Sequence, residues 1–189
     1  GAVRRELRDL RVAVFVIHTV REGMRYDTPR LVVEAGKPFE IVIQNDDFMP
    51  HNLAVVTPGA REKIGPVAEK MSPEQLDAKG RAFIPKSPEI LAATRLLEPG
   101  MKETLKLTAP TTEGDYEYVC TFPGHWPVMW GRLVVTQDVE AYLQKHPDGD
   151  AMPLLTRAVT RAPNDFRAWR VLAVVQVRRV DATAAATAW

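Results

Sequence analysis

The chain of 189 residues contains a single cysteine, Cys120. It cannot close an intramolecular disulfide, so no covalent staple holds it. A chain of this length can instead bury a proper hydrophobic core. Charge of one sign is also missing: 25 Lys and Arg face 24 Asp and Glu, a net of +1. That balance gives no polyelectrolyte drive toward nucleic acid. No apolar run approaches the roughly 20 residues that cross a bilayer. The best candidate, residues 171–177, is interrupted by Gln176 and flanked by Arg170 and Arg178. The start, Gly1-Ala2-Val3-Arg4-Arg5, lacks the apolar core and cleavage site of a signal peptide. Either a signal has been removed or the sequence is a piece of a longer protein. Disorder and low complexity are excluded in turn, because 46% of the residues are apolar and 26% charged.

What the chain does have is a succession of short β-type segments from about residue 10 to 136. Val12, Val14 and Val16 alternate with Ala13, Phe15 and Ile17 in an apolar run. Leu31 opens a second run after Pro29. Phe39, Ile41 and Ile43 share one face, with Glu40 and Gln44 on the other, after the turn signal Gly36-Lys37-Pro38. Residues 53–56, 90–97, 104–107, 116–118 and 133–136 continue the set, separated by Gly and Pro. Many short strands with turns between them predict a mainly β sandwich or barrel. Residues 60–80 break the pattern with a composition suited to helix. There Ser72-Pro73-Glu74-Gln75 offers an N-cap, a Pro for the first helical position and a Gln three residues after the Ser. A helical insertion between two strands is expected.

Chemistry concentrates in residues 120–129, which read Cys-Thr-Phe-Pro-Gly-His-Trp-Pro-Val-Met. A thiolate, an imidazole and a thioether lie at Cys120, His125 and Met129. Soft sulfur donors with imidazole select copper, and two His, one Cys and a weak axial Met form the blue-copper set. Pro123, Gly124 and Pro127 supply the turn that lets all three side chains point inward. The second imidazole is expected from His51, in the segment Asn45-Asp46-Asp47-Phe48-Met49-Pro50-His51-Asn52 that follows the alternating strand. His18 and His146 stand beside no other candidate ligand and are expected to have no metal role.

These motifs resemble the cupredoxins, and within them the azurin and auracyanin type most closely. The Cys-Thr-Phe-Pro-Gly-His-x3-Met loop matches in length, Met49-x-His51-Asn52 is similar to the first-histidine loop, and the segment Met24-x-Tyr26-x-Thr28 before an apolar strand is similar to the early strand region. The resemblance covers roughly residues 11–136 and implies a Greek-key β-sandwich. It also implies one type 1 copper held by His51, Cys120, His125 and Met129. Asn52 would tie the His51 loop to the Cys120 loop near Thr121, and the Phe122 N–H would point at the Cys120 sulfur. Met49, Pro123 and Gly124, together with Trp126 and Pro127, would form an apolar docking patch around an exposed edge of His125. Pro50 stands where azurin has Gly, so four ligands rather than five are expected.

The function this implies is electron transfer, not enzymatic turnover, in the periplasm or another extracytoplasmic space. The partner would be a one-electron redox protein such as a c-type cytochrome or a cognate dehydrogenase. Copper enzymes that contain such a domain need further copper sites built from several more histidines. With four His and no His-x-His, this chain cannot assemble them alone. The binuclear copper site of respiratory oxidases needs two Cys.

A domain boundary is expected near residue 137, where strand alternation stops and an Ala- and Arg-rich helical tail, 137–189, begins. Helices are expected at residues 138–145, 153–162 and 164–179. The segment from Leu155 to Ala173 weakly resembles a tetratricopeptide repeat. The alternative function is therefore a copper-binding redox module of a larger multidomain oxidoreductase, with the tail as an interaction scaffold.

Overall fold

The computed structural model describes residues 12–146. Eight strands form two sheets: β1 (Ala13–His18), β2 (Arg30–Glu34), β3 (Pro38–Gln44), β4 (Ala54–Val56), β5 (Ile90–Ala93), β6 (Lys102–Thr108), β7 (Gly114–Val119) and β8 (Trp130–Thr136). Two helices, α1 (Arg61–Ala68) and α2 (Val139–Lys145), complete the described elements. The smaller sheet has the order β1-β3-β6 and the larger β2-β8-β7-β4-β5. β1 runs parallel to β3 and β2 parallel to β8; the other pairings are antiparallel.

The period-two pattern of β3 produces its packing. Phe39, Ile41 and Ile43 are buried, and Ile17 and Leu105 join them from neighbouring strands. Leu31, Val33, Tyr116, Tyr118, Leu133 and Val135 face them from the larger sheet, so the two inner faces share one core. Residues 53–56 are apolar without alternation for a different reason. Val55 enters that core, while Ala54 and Val56 belong to a second cluster with Ala60 and Ile64 of the α1 region, Ile84, Ala93 and Val119. α1 thus covers the outer face of the larger sheet, and β4 is buried on both sides.

The insertion is less helical than its composition. α1 ends at Ala68, and Ser72-Pro73-Glu74-Gln75 forms one turn, not a helix. The Gln75 side chain does accept the Ser72 N–H at 2.8 Å. Propagation then fails, because the Asp77 carboxylate accepts the N–H groups of Lys79 and Arg81, each at 2.9 Å. A short acidic side chain that captures backbone donors offers the chain an alternative to the helical ladder. The Arg81 guanidinium donates to the Ala93 carbonyl at 2.6 Å, which ties the insertion to β5.

β8 begins at Trp130, three residues before the apolar run at Leu133, since β7 pairs with it along its whole length. Within it, Gly131 leaves room for the Tyr118 ring: a Cβ there would stand 2.2 Å from the ring. Residues 90–97 are a strand only to Ala93; Leu97 instead forms an isolated bridge with His51.

The chain divides into two compact units after Gln137. In the second, Asp138 caps α2, its side chain accepting the Ala141 N–H at 2.9 Å. The helix ends at Lys145, with His146 as the C-cap; the residue before a proline disfavours the helical conformation. The helices expected at 153–162 and 164–179 and the tetratricopeptide-like segment lie outside the described residues. Among the described residues, no helix is long and apolar enough to cross a membrane.

Candidate metal centre

Two loops meet at one end of the sandwich. The first joins β7 to β8. Cys120 directly follows β7 and Met129 directly precedes β8, and the Cys120 N–H donates to the Met129 carbonyl at 2.9 Å. Between them the chain folds tightly on itself, with the Val128 and Met129 N–H groups both bonded to the His125 carbonyl. Gly124 has φ +82°, a left-handed conformation that suits glycine. The second loop joins β3 to β4 and carries His51. Its backbone is clamped to Leu97 by reciprocal hydrogen bonds of 3.1 and 2.8 Å.

The side chains of His51, Cys120 and His125 converge, with ligating atoms within 4.8 Å of one another and all three residues buried. Cys120 Sγ lies 3.8 Å from His51 Nδ1 and 3.6 Å from His125 Nδ1. Metal–sulfur and metal–nitrogen bonds of about 2.3 and 2.0 Å at 120° would separate sulfur from nitrogen by about 3.7 Å. Both separations match those of a sulfur and a nitrogen bound to one ion. Met129 is fully buried. A thiol, two imidazoles and a thioether are the donor set that suits copper.

Hydrogen bonds hold this geometry from both loops. Asn52 Nδ2 donates to Thr121 Oγ1 at 2.9 Å, and the Thr121 N–H donates to Asn52 Oδ1 at 2.7 Å. The two bonds tie the His51 loop to the Cys120 loop. The N–H groups of Asn52 and Phe122 are both directed at the Cys120 sulfur. Tyr26 OH donates to the Asn52 carbonyl at 2.6 Å and fixes that strand entry to the core.

The first-histidine loop rests on a buried polar knot. Asn45 Nδ2 donates to the carbonyls of Met49 and Leu97, each at 2.8 Å. Thr19 Oγ1 donates to Asn45 Oδ1 and accepts the N–H groups of Asp46 and Asp47. His51 Nε2 is 2.9 Å from Asp47 Oδ2. A carboxylate only accepts, so Nε2 carries the proton and the Nδ1 lone pair faces the sulfur.

Burial pushes the Cys120 thiol up to about 12, against the opposing effect of the two N–H groups. Burial and the nearby His51 lower His125 to about 4, with Asp47 opposing. Asp47 lies below the usual carboxylate range: burial works against this, but the N–H of Glu22, the His51 ring and the N–H of Phe48 outweigh it. A bound cation reverses the situation of the thiol, since it stabilises the thiolate directly.

Two expectations about the loop surface are corrected. His125 is only 1% exposed, so it presents no open edge. The Phe122 ring lies 4.8 Å from its imidazole, and Phe83, at φ +59°, packs edge-on to Phe122 at 5.3 Å. Trp126 does not join an open patch. It packs against Gly65 of α1, where a Cβ would meet its ring at 2.2 Å, and its indole N–H donates to Glu69 at 3.0 Å. A large aromatic covers apolar area while its N–H finds a partner at the edge. Met49, Gly124 and Pro127 are exposed, and Pro50, Phe122 and Pro123 are half-buried.

His18 stands apart from the cluster and pairs with Asp46 at 2.6 Å. His146 stacks on Tyr142 in α2. The residues that sequence reasoning passed over are Thr19, Asn45, Asp47 and Phe83. Only Asp47 carried a signal, an acidic residue four positions before a candidate ligand.

The family model of copper binding proteins of the plastocyanin/azurin family matches residues 13–136. Auracyanin-A of Chloroflexus aurantiacus is 34% identical over 118 residues, which span 60% of this chain and 68% of that protein. The solved structure of auracyanin A from that bacterium, described as a blue copper protein, is 28% identical. It superposes with a TM-score of 0.59 over 67% of this chain and all of that one. Dithionite-reduced auracyanin from Roseiflexus castenholzii, also 28% identical, gives a TM-score of 0.56 over 66% of this chain and 97% of that chain. A mainly β sandwich with a buried His, Cys and His triad and a family match across nearly the whole sandwich place the chain in the plastocyanin/azurin family of copper-binding cupredoxins.

Proposed function

We propose that the protein is an extracytoplasmic electron carrier and not an enzyme, and that His51, Cys120 and His125 would hold one copper, with Met129 as a weak fourth donor. The observation that carries this reading is the buried triad at 3.6 and 3.8 Å, already spaced for one ion. Copper would supply a one-electron couple between its +1 and +2 states. The chain's task is to keep the donors still while the charge changes. The Asn52–Thr121 tie, the Leu97 clamp and the Asn45 knot immobilise both loops, so little has to reorganise. Phe122 and Phe83 exclude water on the side of His125. Pro50 directly precedes His51 with a ring-fixed φ, and four ligands, not five, would hold the copper.

The partner is a one-electron redox protein, such as a c-type cytochrome or a cognate dehydrogenase. It would dock on the uncharged surface made by Met49, Pro123, Gly124 and Pro127. Contacts without charge favour weak encounters that change little with salt. Met49→Lys tests the route. It should slow electron self-exchange, most strongly at low salt, and leave the blue spectrum nearly unchanged. An unchanged rate across a salt series, with the copper spectrum intact, would mean that electrons leave by another face.

A further inference from the structure

We propose that Asp47 is the charged anchor of the first copper ligand: its carboxylate sets the tautomer that aims His51 Nδ1 at the metal position and favours the oxidised ion over the reduced one. This rests on the copper reading above. His51 is fully buried, and its outer nitrogen ends on Asp47 Oδ2 at 2.9 Å. A neutral acceptor such as a carbonyl would fix the same tautomer. A carboxylate adds a fixed negative charge one imidazole away from the metal position, inside the fold.

The carboxylate is built in, not incidental. Asp47 is 5% exposed. Its Oδ1 accepts the N–H of Glu22 at 2.9 Å and that of Phe48 at 2.8 Å, leaving Oδ2 for the histidine. Its own N–H is held by Thr19 Oγ1 and Asn45 Oδ1, each at 3.0 Å. Glu22 reaches it from a different loop and adopts a left-handed φ of +56°, uncommon for a residue with a side chain. Two loops thus converge on one carboxylate, and a buried amide holds the backbone of the same residue. The other imidazole is treated differently, with the Phe122 ring 4.8 Å from His125. A carboxylate behind a ligating histidine orients the ring and raises its basicity, and loss of such a partner changes metal affinity by about 10–100-fold. Because a negative charge stabilises Cu(II) more than Cu(I), its removal shifts the balance toward the reduced ion.

The test has two parts. In the copper-free wild type, nitrogen–proton correlation of the imidazole rings should find the His51 proton on Nε2; a proton on Nδ1 overturns the proposal without recourse to any variant. In the copper protein, Asp47→Asn should lower the preference for Cu(II) over Cu(I) about tenfold, which is a rise of about 59 mV in potential. Asp46→Asn is the control. It removes the same charge one residue away, from an exposed side chain bonded to His18 and Gln44, and should change the ratio by less than about twofold. Equal shifts in the two variants, or a lowered potential in Asp47→Asn, overturn the proposal. A wild type with the Nε2 proton but no blue copper form would overturn the copper reading instead, whereas an Nδ1 proton in a protein that does turn blue would overturn the role of Asp47 alone.

Discussion

Replacing Asn52 with Ala should destabilise the copper-free protein more than any surface change near the site. Asn52 and Thr121 are both fully buried. The substitution removes the acceptor of the Thr121 N–H at 2.7 Å and the donor to Thr121 Oγ1 at 2.9 Å. A buried N–H left without an acceptor costs about 1–3 kcal/mol, and the hydroxyl, free to rotate, about 1 kcal/mol more. A loss of roughly 2–4 kcal/mol corresponds to a fall in Tm of roughly 8–16 °C for a domain of this size. Thr121→Val keeps the backbone bond and should cost only about 1 kcal/mol. Because the two side chains act on each other, the double variant should lose less than the sum by about 1 kcal/mol. Thermal unfolding followed by circular dichroism, without copper, gives all three values. Strict additivity, or an Asn52→Ala variant within about 0.5 kcal/mol of wild type, would refute the claim that this tie holds the two loops together.

Three further outcomes follow from the same geometry. Met129→Leu should keep copper and raise the potential, since the thioether is a weak donor that helps Cu(II); a lowered potential in voltammetry counts against Met129 as the axial donor. His125 titrates near 4 in the folded copper-free protein against an ordinary 6.5. The unfolded chain then binds more protons between those values, so stability is present above 6.5 and is lost as pH falls toward 4, by up to about 1.4 kcal/mol per pH unit. Denaturant midpoints of wild type and His125→Gln across that window isolate this contribution; a difference that does not vary with pH removes it. A chain of residues 1–137 should fold and take up copper, since the family match ends at 136 and the compact unit at Gln137; a much lower melting temperature would make the tail part of the core.

The strands and the candidate donors of the Cys120 loop could be proposed from the sequence because each depends on local pattern. Alternation at Phe39, Ile41 and Ile43 follows from the pleat, and the Cys120, His125 and Met129 spacing follows from one loop. The features that escaped are long-range or competitive. The turn at Ser72 satisfies half of a capping box, yet Asp77 takes the donors that a helix would need. Trp126 reads as a surface residue until Gly65, 61 positions earlier in the chain, is seen to accommodate its ring. Asn45, Thr19 and Glu22 converge on Asp47 from segments whose sequences contain no sign of the meeting. The exposed edge expected of His125 is covered by Phe122, against which Phe83 packs from the segment after the insertion.

The central claim, that Cys120 and two histidines hold a single copper, is tested most directly by the visible spectrum on titration with Cu(II). The wild type should develop an intense thiolate-to-copper band that saturates at one copper per chain. Cys120→Ser should show none, because a hydroxyl cannot supply the charge transfer and the chain has no second cysteine to replace it. A colourless wild type, or a blue band that survives in Cys120→Ser, would contradict the account.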